Sequence, residues 1–169
     1  LKLALAASPD NVPLLLLVAK AHEDCFELAN ARACLDRVVA LKPDHAEAHC
    51  NSALALSLMN RGREALASFE KVRALRPQFD FLLGHIVLLR QKMCDWSRFA
   101  QEVGECIGAV EAKGRAALPF VVLSVSESEA LNLQAARAYV AFVTERFAPP
   151  LPFAPRGRRD LLRQYAFTL

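Results

Sequence analysis

The 169-residue sequence has the length of one ordinary domain or one short repeat array. With 54% hydrophobic and 23% charged residues it is too apolar for a disordered chain, and its 6 glycines and 2 tyrosines argue against a loop-rich or β-rich protein. The 21 lysines and arginines exceed the 18 aspartates and glutamates by a net charge of only +3, which does not indicate a nucleic-acid partner.

Neither a membrane span nor a metal site is indicated by the sequence. The longest apolar run, residues 12–19, has about half the length that a membrane-spanning helix needs. Five cysteines without a Cys-x-x-Cys pair and four histidines without ligand spacing argue against a disulfide framework, a zinc site or another cofactor. We therefore expect reduced, mostly buried thiols in a cytoplasmic protein.

A repeat of 34 residues organises the first two thirds of the chain. Pro9, Pro43 and Pro77 are each 34 residues apart. Similar residues recur at the same spacing, in the pairs Ala31/Ala65, Leu35/Phe69, Val38/Val72, Ala40/Ala74 and Leu41/Leu75. A 34-residue period with small, aromatic and closing proline positions is the tetratricopeptide pattern, in which each unit is two antiparallel helices. The sequence therefore predicts an all-α fold, a tetratricopeptide-repeat α-solenoid followed by a non-repeat helical segment.

The repeats are predicted to occupy residues 1–112. They comprise a partial unit at 1–9, full units at 10–43 and 44–77, and a degenerate unit at 78–112. In the second full unit we expect helices over 46–59 and 63–75, joined by the turn Asn60-Arg61-Gly62. Asp10 and Asp44 each follow a proline, where a carboxylate can cap the next helix.

Beyond the second unit the pattern weakens. A first helix is expected over about 79–92 and a second over 97–112, capped by Asp95, although the second helix lacks the expected alanine and the closing proline. Residues 113–146 are predicted to form an extended connection over 114–125 and then a helix that opens with a capping box at Ser126 and Glu129. Residues 147–169 are predicted to form a proline-rich linker and a basic tail.

The end of the third unit carries a more specific signal. Met93-Cys94-Asp95-Trp96 follows a repeat helix, and Leu118-Pro119-Phe120 and the proline-rich stretch come later. Over residues 11–155 this order resembles the junction between repeats and catalytic domain in O-linked N-acetylglucosamine transferases and their SPINDLY-like bacterial relatives. The resemblance implies a glycosyltransferase domain beyond this chain, so we expect a fragment without catalytic residues. Trp96 is expected to anchor the turn, and Cys94 to be a packed thiol.

The same resemblance suggests how a ligand would bind. The family lines its concave face with asparagines that bind a peptide backbone, and Asn51 occupies that position, whereas Leu17 and His85 occupy it in the neighbouring units. An ordinary solvated asparagine and a structural histidine are the alternatives for Asn51 and His85. On the expectation that first helices face the ligand, the groove candidates are Asn51, His85, Lys20, Glu47, Leu54, Leu58, Leu88 and Lys92.

Two functions remain open from the sequence. The chain is either the substrate-presenting repeat region of a glycosyltransferase or a stand-alone tetratricopeptide adaptor. Both predict a protein or an extended peptide in the groove, without nucleic acid or membrane, and both leave self-association through exposed repeat ends as an alternative.

Overall fold

The computed structural model describes residues 8–112 and 114–147, with side chains through Glu145. Within these ranges every regular element is an α-helix. The chain divides into one compact unit that ends at Tyr139 and a second that begins at Val140, whose described part is the end of the last helix. The predictions for residues 1–7 and for the linker and tail beyond Phe147 lie outside the described residues.

The first two repeat units form the predicted helix pairs. The predicted ends of the second pair are correct to within one residue, because the hydrophobic spacing is local and strictly periodic. Ala31 and Ala65 are completely buried, and Leu35 and Phe69 are at most 1% exposed. Small residues thus allow the two helices of each unit to approach, and large ones fill the space around them. The four helices are α1 (Val12–Asp24), α2 (Leu28–Leu41), α3 (Ala46–Leu58) and α4 (Gly62–Leu75).

Each turn between the helices of a unit has the same backbone geometry. Phe26, Asn60 and Cys94 are 34 residues apart and adopt the left-handed conformation, with φ of 58°, 59° and 51°. The amide that follows each of them donates to a carbonyl five residues earlier, which is the Schellman arrangement that ends a helix. Cys94 therefore belongs to the repeat geometry, although the sequence around it departs from the repeat pattern.

The predicted aspartate caps are wrong by one residue. Asn11 accepts a hydrogen bond from the amide of Leu14 at 3.1 Å, and Nδ1 of His45 accepts one from the amide of Ala48 at 3.2 Å. Asp10 instead pairs with Arg37 at 2.6 Å. The capping position is the residue directly before the first helical turn, and Asp10 and Asp44 stand one residue outside it.

Both helices of the third unit begin later than the sequence predicts. Its first helix, α5, spans Leu82–Met93, because Phe81 is left-handed (φ 63°) and ends the preceding irregular segment. Its second helix, α6, spans Phe99–Glu111, with Arg98 at the position before the first turn. Asp95 therefore does not cap this helix. Its carboxylate accepts from the amide and the hydroxyl of Ser97, at 3.1 Å and 2.7 Å.

A buried ion-pair network holds the third unit together. Glu102, on α6, is 1% exposed, and Arg90, on α5, is 4% exposed. The guanidinium donates to both carboxylate oxygens of Glu102, with Nη2 at 3.0 Å from Oε1, and also to the carboxylate of Asp95. The bonds from Ser97 and the charge of Arg90 hold the pKa of Asp95 below its usual range. The network therefore joins α5, the turn and α6 through one side chain.

The expectation of an extended connection over 114–125 is wrong for its second half. A short helix, α7, spans Pro119–Val125, and the last helix, α8, spans Glu129–Phe147. Local β-branched residues favour an extended chain, but Pro119 suits a first helical turn, and helix formation buries Val121 and Val122 against the third unit.

The cap of the last helix also differs from the expectation. Ser128, and not Ser126, caps α8, and its hydroxyl accepts from the amide of Leu131 at 3.3 Å. Ser126 accepts from the amide of Ser128 at 3.2 Å, so it forms the turn that precedes the cap.

The expectation of mostly buried thiols and an anchoring tryptophan is only partly met. All five cysteines are free; Cys50 and Cys106 are buried, but Cys25 and Cys94 are exposed. Burial raises the pKa of Cys50 to about 12. Trp96 is 61% exposed and contacts Phe99 edge to face at 5.0 Å between ring centroids. The equivalent turn residues Phe26 and Asn60 are exposed as well, so the exposure of Cys94 belongs to this position of the repeat turn.

We expect Phe26→Gly to stabilise the protein. Phe26 is left-handed and 81% exposed, so glycine removes backbone strain and loses little packing. The free energy of unfolding in a denaturant titration should rise by about 1 kcal/mol. Phe26→Ala keeps the Cβ and serves as the matched control; an equal gain in the alanine variant would contradict the strain argument.

We expect Glu102→Ala to destabilise the protein strongly. Removing this carboxylate leaves the guanidinium of Arg90 buried without its main partner, which typically costs about 3 kcal/mol or more. Thermal and denaturant unfolding would measure the loss. Asp10→Ala removes a carboxylate from the Arg37–Asp10 pair, in which both side chains are more than half exposed, and should have a much smaller effect. Equal losses in the two variants would rule out the network as the main restraint.

Candidate functional site

The first helices of the three units enclose a groove. A cavity of about 410 Å³ lies against the C-terminal halves of α1, α3 and α5. Two sets of equivalent repeat positions line it, because residues 34 apart fall on the same helical face of successive units. The first set is Lys20, Leu54 and Leu88, and the second is Asp24, Leu58 and Lys92.

The walls of the groove are mainly apolar, and some of the apolar side chains are exposed. Leu58 is 60% exposed and Phe120 is 52% exposed. Leu118 and Phe120 reach the cavity from the start of α7, so this segment closes the groove on the side of the third unit. Exposed large apolar side chains that meet at one concave site mark a binding surface more often than scattered ones do.

One aromatic pair lies at the bottom of the groove. The ring of His85, on α5, stacks on that of Phe69, on α4, with 5.7 Å between centroids and 3° between planes. Burial lowers the pKa of His85 from its ordinary value. The imidazole is therefore neutral at pH 7 and contributes a flat, weakly polar surface instead of a charge.

The charged groups are distributed unequally around the groove. Nζ of Lys20 lies 2.8 Å from the carboxylate of Asp24, and this hydrogen bond raises the pKa of Lys20. The neighbouring Glu23 is partly buried, which raises the pKa of its carboxyl. On the opposite side, Nζ of Lys92 donates to the backbone carbonyl of Ser57 at 3.3 Å.

The structure brings most of the sequence candidates together. Asn51 and Glu47 are not among the residues that line the cavity; Asn51 is half-buried and Glu47 is exposed on α3, toward its beginning. The candidates that do line the cavity are Lys20, Leu54, Leu58, His85, Leu88 and Lys92.

Sequence reasoning missed eight of the fourteen lining residues, and four of them are informative. Asp24 is 34 residues before the candidate Leu58 and could have been included by that spacing, and Glu23 by its position next to Asp24. Phe69 comes from a second helix, and Phe120 comes from the segment after the repeats. Leu118-Pro119-Phe120 stood out in the sequence as part of a motif, but no periodic signal placed it near the groove.

Two further properties concern metals and membranes. Among the described side chains, no group of three histidine, cysteine, aspartate or glutamate residues lies close enough to hold a metal ion. No helix in the described ranges has the length and apolar character needed to cross a membrane.

Comparisons with known proteins agree on the fold. No protein-family model matches the chain, and no curated protein sequence matches it. A crystal structure of MamA has a TM-score of 0.59 at 20% identity, over 86% of this chain and 84% of that one. Another structure, described as MamA AMB-1, has a TM-score of 0.55 at 22% identity. That match covers 60% of this chain, and it spans only 55% of the length of the MamA AMB-1 structure.

The third comparison names the repeat class. The tetratricopeptide-repeat domain of Sgt2 from Aspergillus fumigatus has a TM-score of 0.55 at 16% identity, over 88% of this chain and 93% of that one. At these identities the similarity concerns the fold alone. The all-α, tetratricopeptide-repeat α-solenoid expected from the 34-residue period is confirmed.

We expect the buried His85 to make stability depend on pH. The unfolded chain takes up a proton near pH 6.5, whereas the folded chain resists it, so the free energy of unfolding should fall as the pH drops below about 6.5. His85→Phe keeps a ring against Phe69 and cannot be protonated. Denaturant unfolding at pH 7.5 and about 5.5 should show a smaller fall for the variant; identical falls would contradict the assignment to His85.

Proposed function

We propose that the chain is a protein-interaction module that binds a segment of a partner protein in the groove between α1, α3 and α5. One observation carries this proposal: equivalent positions of successive units place large apolar side chains around a single cavity, and Leu58 and Phe120 remain more than half exposed there. Burying such side chains against a partner would contribute about 25 cal/mol for each Å² of apolar surface removed from water.

The stacked helices are suited to this role. Phe69, which lines the cavity, is buried in one core cluster with Leu56, which does not line it, so the lining side chains rest on a packed core. A packed support restricts the rotamers of the lining residues, which lowers the entropic cost of binding. We propose a binding role, and no reaction, for this chain.

Two molecular contexts fit the proposed role. In the first, the chain is the substrate-presenting repeat region of a glycosyltransferase that resembles O-linked N-acetylglucosamine transferases; the Cys94-Asp95-Trp96 turn supports this context. In the second, it is a stand-alone adaptor. In the structure Asp95 bonds with Arg90 and Ser97 inside the turn, a structural role that suits either context equally. Five free thiols favour a reducing compartment such as the cytoplasm.

The size of the native protein separates the two contexts. An antibody against this segment would detect it in an extract of the source cell. A band far above 18.6 kDa would favour the transferase context, and turnover of the sugar nucleotide should then be measured on the whole protein. A band near 18.6 kDa would exclude that context and leave the adaptor.

We expect Leu58→Asp to weaken peptide binding in the groove. Peptides selected on the wild-type chain from a random display library would be synthesised and their affinities measured. A buried carboxylate at the centre of the apolar wall should weaken binding about tenfold or more.

Leu75→Asp is the matched control for Leu58→Asp. Leu75 is 44% exposed at the end of α4 and does not line the cavity, so its substitution should change affinity less than about twofold. If all selected peptides bind the two variants equally well, the groove is not the binding site and the proposal is wrong.

A further inference from the structure

We infer that the groove selects an internal protein segment in which a bulky apolar anchor stands next to an acidic side chain, with the anchor between Leu58 and Phe120 and the acid at Lys92. This inference rests on the proposed binding function and adds the chemistry of the ligand. It differs from the asparagine ladder implied by the sequence resemblance, which would hold a peptide backbone irrespective of its side chains.

The polarity of the groove follows from one set of equivalent positions. Asp24, Leu58 and Lys92 are 34 residues apart and lie on α1, α3 and α5, and all three line the cavity. Because equivalent positions of stacked units follow one another across the groove, a ligand that crosses it meets an acidic, an apolar and a basic side chain in that order.

Asp24 and Lys92, the charged residues of this set, differ in whether a side chain of opposite charge already binds them. Asp24 is already neutralised by Lys20 at 2.8 Å. Lys92 is exposed, takes part in none of the salt bridges found among the described residues, and donates only to a backbone carbonyl at 3.3 Å. An ammonium group has three donors and a full charge, and a single carbonyl leaves two donors and the charge to water, which a ligand carboxylate can displace. The basic edge is therefore the one that attracts a ligand carboxylate.

Gly84 determines where the apolar anchor site ends. Its amide donates to the carbonyl of Ala116 at 2.9 Å, and a Cβ on Gly84 would lie 2.7 Å from the Cα of Ala117. Only glycine allows the connecting segment to approach α5 so closely. This contact fixes the start of α7 and brings Leu118 and Phe120 to the cavity. The cavity volume of about 410 Å³ is near the lower end of the range for ligand pockets. A cavity of this size that is closed at one end can hold a few anchoring side chains of a ligand.

The test uses a small set of end-blocked peptides and the full chain. All contain a Leu-Phe pair; in one peptide Glu follows the pair, in a second Glu precedes it, and in a third Gln stands on both sides. Both orders are included because either chain direction can place Glu at Lys92. Fluorescence polarisation should show that at least one acidic peptide binds about fivefold more tightly than the neutral one, which corresponds to a charge-assisted contact at an exposed site.

Lys92→Met identifies the charge that is responsible. The variant keeps an apolar side chain of similar length, so it should bind the neutral peptide normally and lose the preference for Glu. Lys71→Met is the matched control: Lys71 is exposed on α4 and does not line the cavity, so its substitution removes the same charge from the chain and should leave the preference intact. Absence of the preference in the wild type, or its persistence in Lys92→Met, would overturn the inference.

Phe120→Ala tests the position of the anchor. It should weaken all three peptides by about tenfold, whereas Leu123→Ala should have little effect. Leu123 is 64% exposed on the same helix but does not line this cavity. Equal effects of the two substitutions would place the anchor elsewhere.

Three further outcomes show whether this inference alone or the proposed function as well is wrong. If the neutral peptide gains affinity only when its C-terminus is left free, the groove recognises a chain end, and the inference of an internal segment is wrong. If none of these peptides binds but library peptides still depend on Leu58, the inference fails and the binding function stands. If no library peptide depends on Leu58 either, both fail.

Discussion

The buried pair of Arg90 and Glu102 is the constraint on which the second half of the structure depends. Ala31 and Ala65 are the first buried residues of α2 and α4, and Glu102 is the first of α6. A buried carboxylate in that position is tolerated only if an opposite charge compensates it and if its oxygens accept hydrogen bonds. Arg90 meets both requirements, and its third contact, with Asp95, restrains the turn at the same time.

The placement of α6 has consequences for the groove. Cys106 and Val110, on α6, share a core cluster with Ala117 and Val121, so the connection to α7 packs directly on this helix. At its other side the connection lies against Gly84 of α5. Through its effect on α6, the ion pair thus supports the segment that brings Leu118 and Phe120 to the cavity.

The periodic part of the structure was predictable from the sequence, and the rest was not. Helices α3 and α4 could be placed to within one residue, and Lys20, Leu54 and Leu88 could be assigned to one face, because both inferences use only the 34-residue spacing. Phe120 and the helix that carries it depend on tertiary contacts of Val121 and Val122, which override the local preference of valine for extended structure. Asn51 was assigned from family resemblance, and it does not line the cavity.

The composition of the groove determines which kind of recognition the chain can support. A ladder that holds a peptide backbone needs an amide side chain on each successive unit, but the positions equivalent to Asn51 hold Leu17 and His85. Leucine is the commonest residue that lines the cavity, and charged residues line it from α1 and from the end of α5. Apolar pockets discriminate by size and shape, and an unpaired charge at the edge discriminates by sign. The proposed selectivity for side chains would therefore come from these three repeats alone, and it would be the same whether the chain serves an attached enzyme or acts as an adaptor.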